Sequence, residues 1–171
     1  LCPPSVLEVC SHRGWYSQFT ELRGYKAVAL DAHEGCVAQL YRAAKEKNLP
    51  ILPLVLRFAS HSPTYGRYSQ RLAPTQRLRC DMILALELVY QLVFEQYLNF
   101  EQITEELFAF SNRWALVEFI PSEDQQVRKW RSEHYTWYTL ENFIAALGRK
   151  FQSVKTYPSF PDSRLLLLCE K

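Results

Sequence analysis

Between residues 5 and 56 the chain sets down three short apolar runs, "SVLEV" (5–9), "KAVAL" (26–30) and "ILPLVL" (51–56), separated by segments of helical period. No other feature restricts the fold as strongly. Strands joined through a helix run parallel, because the crossover carries the chain back to the end it started from. A parallel sheet in turn needs cover on both faces. Residues 14–22 fit the first helix, with Gly24 in "RGY" as its stop. Residues 34–47, "EGCVAQLYRAAKEK", put Val37, Leu40, Tyr41 and Ala44 on one face and charges opposite. Pro53 places the third strand near an edge, since proline cannot donate to a ladder.

Beyond a stretch that reads mainly as loop, "RFASHSPTYGRYSQRLAPTQRLR", the alternation resumes. "DMILAL" (81–86) is the fourth strand, residues 87–97 and 101–112 are helices, and "WALVEFI" (114–120) is the fifth strand, stopped by Pro121. Ser122 in "SEDQQVRKW" reads as the N-cap of a short helix, and Thr139 as the cap of another with Phe143, Ala146 and Leu147 on one stripe. "SVKTYPS" and "SRLLLLCEK" flank the turn "FPDS" and should pair antiparallel at one edge of the sheet. The expected fold is α/β: a three-layer sandwich on a mostly parallel seven-stranded sheet with a C-terminal antiparallel hairpin.

With 171 residues, 48% of them hydrophobic and 22% charged, the chain has the makings of one soluble domain with a sizeable core. Its net charge of +2 gives no bulk attraction to nucleic acid or membrane. No apolar run reaches the roughly 20 residues of a membrane span, and Pro3 and Pro4 stand where a signal peptide would begin. The five cysteines (Cys2, Cys10, Cys36, Cys80 and Cys169) are odd in number and scattered. That spacing fits neither a disulfide framework nor a zinc site and reads as free buried thiols in a reducing cytoplasm.

The order of these elements, with a strand and glycine turn in "VLEVCSHRGWYS" and an acid closing the second strand in "AVALDAH", resembles the class I S-adenosylmethionine-dependent methyltransferases over nearly the whole chain. "LYRAAKEKNLPILPLV", "DMILALELVYQL", "ALVEFIPSEDQQV" and "YTLENFIAAL" are similar to bacterial nodulation-protein-like methyltransferases, "VEFIPSED" being the most specific. The helix that often precedes the first strand in that family is absent here or belongs to a missing N-terminal region. The resemblance implies a single methyltransferase-like domain over residues 1–171 and S-adenosylmethionine as cofactor. It places Glu8, Cys10 and Gly14 at the first turn, Asp31 and Ala32 at the ribose, and Arg57 at the end of the third strand. Glu87 and Tyr90 would adjoin the acceptor.

The chain also departs from that pattern. The turn runs Glu8, Val9, Cys10, Ser11, His12, Arg13, Gly14, so Cys10 stands where the first glycine would sit and only Gly14 survives. Arg57-Phe58 replaces the acid that usually follows the third strand, and Tyr90 and Gln91 stand where relatives often show paired histidines.

Each candidate has a plainer role beside the functional one. Asp31 clamps a ribose or caps the following helix. Glu8, inside an apolar strand, must pair with a loop N–H, a cationic ligand group, Arg13 or Arg57. His12 is a general base or, more commonly, a solvated loop side chain. Glu87 and Tyr90, read as i and i+3 on one helical face, polarise an acceptor or serve helix start and core. Glu118, Glu123 and Asp124 are rim candidates. The loop from Arg57 to Arg79 adds Arg67, Arg71 and Arg77, with Tyr65 and Tyr68 between; it could hold phosphates, although a solvated basic loop is commoner.

The functional expectation is methyl transfer to a small-molecule acceptor by a cytoplasmic protein with no membrane or nucleic-acid partner, that loop leaving the nucleic-acid question open. The alternative is a catalytically inactive binding or scaffold module that kept the fold and lost the cofactor.

Overall fold

Val6, Leu7 and Val9 are all but shielded from solvent in β1 (Ser5–Val9), as a strand covered on both faces requires. The computed structural model describes residues 3–59, 73–130 and 133–171. After β1 come α1 (Trp15–Leu22), β2 (Lys26–Asp31), α2 (Glu34–Glu46), β3 (Leu52–Val55), the single turn α3 (Pro74–Arg77) and β4 (Cys80–Ala85). Then follow α4 (Val89–Phe94), α5 (Phe100–Phe110), β5 (Ser111–Phe119), α6 (Leu140–Gly148), β6 (Ser153–Pro158) and β7 (Leu165–Glu170). The strands form a seven-stranded sheet in the order β3-β2-β1-β4-β5-β7-β6. Pro53 lies on edge strand β3, and the C-terminal pair is antiparallel. The α/β class and its terminal hairpin are as the sequence led one to expect.

The chain divides into two compact units, Leu1–Leu84 with Ala109–Asn112, and Ala85–Phe108 with Arg113–Lys171. In the first, β1 pairs in parallel with β2 (Leu7 opposite Val28) and with β4 (Leu7 opposite Ile83). α1 packs on β1 and β2, and α2 on β2 and β3. Val37, Leu40 and Ala44 are buried from α2, but Tyr41, expected on that face, is 57% exposed. In the second unit β7 runs antiparallel to both β5 and β6. Its core is aromatic: Phe94 stacks on Trp130 with ring centroids 5.7 Å apart, and Phe100 meets Trp137 and Phe143. The buried Tyr138 hydroxyl donates to the Ile120 carbonyl at 2.9 Å.

Two helices differ from expectation. Thr139 caps α6 by accepting from the Asn142 N–H, but Ser122 caps nothing and instead donates to Glu123. Residues 121–127 form turns wound about Asp124, whose carboxylate accepts from the Gln126 N–H and from Arg164, and only a 3-10 turn at Arg128–Trp130 follows. The helix expected over 87–97 is shorter, because Glu87 and Tyr97 have φ of 51° and 58°, outside helical backbone. Glu87 therefore precedes α4 and does not share a helical face with Tyr90. Cys80 and Cys169 are buried thiols, which burial pushes up to about 11 and about 12, whereas Cys10 and Cys36 are part-exposed. No helix among the described residues is long and apolar enough to cross a membrane.

Candidate functional site

The turn after β1 follows the left-handed path that glycine favours, with a single glycine in it. Cys10, His12 and Gly14 have φ of 56°, 46° and 66°. For the two residues bearing a Cβ this costs on the order of 1–2 kcal/mol each, so the surroundings must hold them there. The hydrogen bonds show how. Ser11 N–H donates to the Leu30 carbonyl at the end of β2 (3.0 Å), and Gly14 N–H turns back to the Ser11 carbonyl (2.6 Å). His12 N–H donates to Asp31 Oδ2 at 2.8 Å, while Asp31 Oδ1 accepts from His33 N–H at 2.7 Å. Asp31 thus ties the first turn to the start of α2, and its own carbonyl accepts from Leu56 N–H beyond β3.

Gly14 is required for a second reason. A Cβ there would lie 2.5 Å from Leu40 Cδ1 on α2, so this residue lets the two helices approach. Glu8 takes the loop option: Ser17 donates to its Oε2 through both the backbone N–H (2.7 Å) and the hydroxyl. Ser17 lies in the first turn of α1, where N–H groups lack helical partners, so Glu8 caps α1 from the strand. Burial raises its pKa, against the opposing pull of the Ser17 bonds. His12, Arg13, Ala32 and Arg57 are exposed. The structure therefore brings Cys10, His12, Gly14 and Asp31 into one cluster, with Glu8 below α1.

The second unit holds Glu87 and Tyr90. The Glu87 carboxylate is paired with Arg164 at 2.8 Å, and its N–H donates to Glu118 Oε2 at 3.1 Å. Arg164, on the β6–β7 turn, also donates through Nε to Asp124 at 2.9 Å, and Ser159 Oγ donates to Glu118 at 2.8 Å. Asp124 and Arg164 are each 8% exposed; the guanidinium holds the Asp124 carboxyl below its ordinary range. Burial raises the Tyr90 phenol, with the carboxylates of Glu87 and Glu95 adding to the shift, so it is no base near neutral pH. Tyr90 packs beside Trp130 with centroids 5.8 Å apart, and Gln91 Nε2 donates to both its hydroxyl and the Glu87 carbonyl. Of the rim candidates, Glu118 and Asp124 are buried and Glu123 is exposed.

Sequence reasoning passed over Ser17 and Arg164. Ser17 left no signal, but an arginine heading the apolar run "LLLLC" was a visible oddity. Of the arginine-rich loop, Tyr65, Arg67, Tyr68 and Arg71 lie outside the described residues; Arg79 Nε donates to the Ala109 carbonyl.

No known family model matches the chain. The fold is that of the Rossmann-like methyltransferases, and two of the similar solved structures that follow are methyltransferases by name. WbdD, a bifunctional kinase-methyltransferase, matches with a TM-score of 0.72 at 13% identity, over 98% of this chain and 34% of that one. Magnesium protoporphyrin IX methyltransferase (ChlM) from Synechocystis PCC 6803 with bound SAM matches with 0.64 at 14% identity, over 97% and 69%. PH0226 from Pyrococcus horikoshii OT3 matches with 0.70 at 11%, over 97% and 81%. Among curated proteins, the nodulation protein NoeA of Rhizobium meliloti (strain 1021) is 22% identical over 174 residues, covering 99% of this chain. The chain spans 36% of that relative's length.

Proposed function

We propose that the first unit binds S-adenosylmethionine at the ends of β1 and β2, and that the chain directs its methyl group to a small-molecule acceptor. One observation carries this reading: the turn keeps left-handed backbone at Cys10 and His12, where side chains make it costly. The residues present fit the adenosyl group. A carboxylate has about four lone-pair sites; two backbone N–H groups occupy one on each Asp31 oxygen, and ribose hydroxyls would take the others on uncovering this buried side chain. The Ser11, His12 and Gly14 N–H groups along the same turn are already bonded within the fold, so recognition rests on Asp31.

When bound, the sulfonium supplies an activated methyl group open to in-line displacement. The chain's task is then alignment and exclusion of water, which needs no strong base. That agrees with the second unit, where Glu87 is ion-paired and the Tyr90 phenol is raised.

Calorimetry with S-adenosylhomocysteine tests the reading. Binding with a dissociation constant near 10 μM, weakened at least tenfold by Asp31→Asn, is the expected result. No heat at about 1 mM ligand overturns it. The Cβ atoms at Cys10 and His12 favour a second reading, an inactive binding or scaffold module that kept the fold and lost the cofactor; no heat with S-adenosylhomocysteine at about 1 mM would leave that one standing.

A further inference from the structure

A second candidate site lies on the first unit, bordering the turn that carries the Asp31 cluster. A groove of about 330 Å³ opens between α1 and α2, at the small end of the roughly 300–1,000 Å³ that small-molecule sites occupy. Its floor is apolar, from Leu40 and Ala43. Arg13 and Lys47 supply two positive charges to the lining, which includes no aspartate or glutamate. Trp15 lies along it with 75% of its surface exposed, an unusual place for the largest apolar side chain. The polar groups are already set in place: Lys47 Nζ donates to Gln18 Oε1 at 2.8 Å, and Gln18 Nε2 donates to the Arg13 carbonyl at 3.1 Å.

We propose that this groove binds a small ligand made of a planar ring bearing a phosphate. Two cations without an acid among them call for a dianion, and a guanidinium matches phosphate oxygens in a fork. Exposed ion pairs alone are worth little, about 0–1 kcal/mol. The indole supplies what they lack, since a ring stacked on an aromatic side chain is worth about 1–3 kcal/mol. The volume leaves room for one ring and its phosphate, and argues against a peptide or a polymer. Because Arg13 belongs to the turn between His12 and Gly14, an occupant would touch that turn from its outer side.

Phenyl phosphate is the probe, because it carries no adenosine and does not test the cofactor reading. Titrated into the full chain and followed by amide NMR, it should shift the Gln18, Gln39, Ala43 and Lys47 signals saturably, with a dissociation constant near 1 mM or below. Phenol and inorganic phosphate, given separately, should each bind at least tenfold more weakly. Arg13→Gln with Lys47→Gln, or Trp15→Ala, should reduce binding at least tenfold while the remaining spectrum reports an intact fold. Asp31→Asn should leave it unchanged. Absence of saturable shifts at these amides at about 10 mM probe overturns the proposal, as does undiminished binding in the double variant. Binding of phenyl phosphate alongside failure of S-adenosylhomocysteine would leave this site standing and remove only the cofactor reading.

Discussion

Glu8 in the first unit and Asp124 in the second are both buried carboxylates, 6% and 8% exposed, and their pKa values move in opposite directions. Burial dominates Glu8 and raises its pKa, although the Ser17 hydroxyl and N–H, and more weakly the Tyr16 N–H and His12, pull the other way. Asp124 is answered by the guanidinium of Arg164, and the charge-assisted hydrogen bond prevails, so its pKa falls. Glu8 lies deep in the packing while Asp124 lies close to the surface, so depth of burial and the charge of the partner together set the two directions. The two units illustrate two ways of holding a strand-end structure. The first relies on neutral dipoles around a strained turn, and the second on a full ion pair binding the β6–β7 turn.

The sharpest way to break this comparison is Arg164→Met. It strands Asp124 as a buried charge and should lower stability by about 3–5 kcal/mol in urea unfolding. Adding Asp124→Leu should recover most of that loss; no recovery would mean the arginine acts through packing. Gly14→Ala, which drives a Cβ into Leu40 and keeps a positive φ, should cost about 2–3 kcal/mol by the same measurement. Leu40→Ala should relieve the clash but not the backbone strain. Ser17→Ala removes the hydroxyl from Glu8 and should cost about 1–2 kcal/mol, raising the carboxyl further.

Acid titration sharpens the contrast. Asp124, whose folded pKa lies below its ordinary 3.8, contributes stability that is present above that value and is lost as pH falls through the folded pKa. Glu8, raised above its ordinary 4.5, does the reverse: stability diminishes as pH climbs from that value through the folded pKa. Glu8→Gln should therefore remove a stability loss on the way up from about pH 4.5 and leave the acid-side loss intact, whereas Arg164→Met should erase the latter. Identical pH profiles for the two variants would show the comparison to be wrong. Smallest of all, His12→Gly should stabilise by roughly 0.5 kcal/mol, glycine's own entropy offsetting part of the relieved strain. The same change should tighten S-adenosylhomocysteine binding.

Much of the fold was legible because it is local. Every strand but β6 was marked by an apolar run bounded by turn residues, β6 being legible only as the partner of β7 across the turn, and Thr139 was marked as a cap by its own side chain. What failed depended on distant partners. Ser122 carried the same cap signature as Thr139, yet Asp124, two residues on, is held by Arg164, 40 residues away, and the backbone turns to serve that bond. Tyr41 continued an apolar stripe, but among the described residues that side of α2 is only partly covered, and it stands exposed. At the site, Asp31 could be named from its place at a strand end. That its oxygens meet His12 and His33 N–H groups, and that Glu8 turns to Ser17, could not be.

Taken alone, the order of residues determined the alternation of strands and helices, the parallel sheet with its antiparallel tail, and the position of an acid closing β2. These follow from period, capping and turn chemistry, which act over a few residues. Only the tertiary structure decided the left-handed course of Cys10 and His12, the placing of Glu8 beneath α1 and the pairing of Arg164 with Glu87 and Asp124. Backbone strain and buried charge are tolerated only when something across the fold answers them, and the nearby sequence holds no record of what that will be.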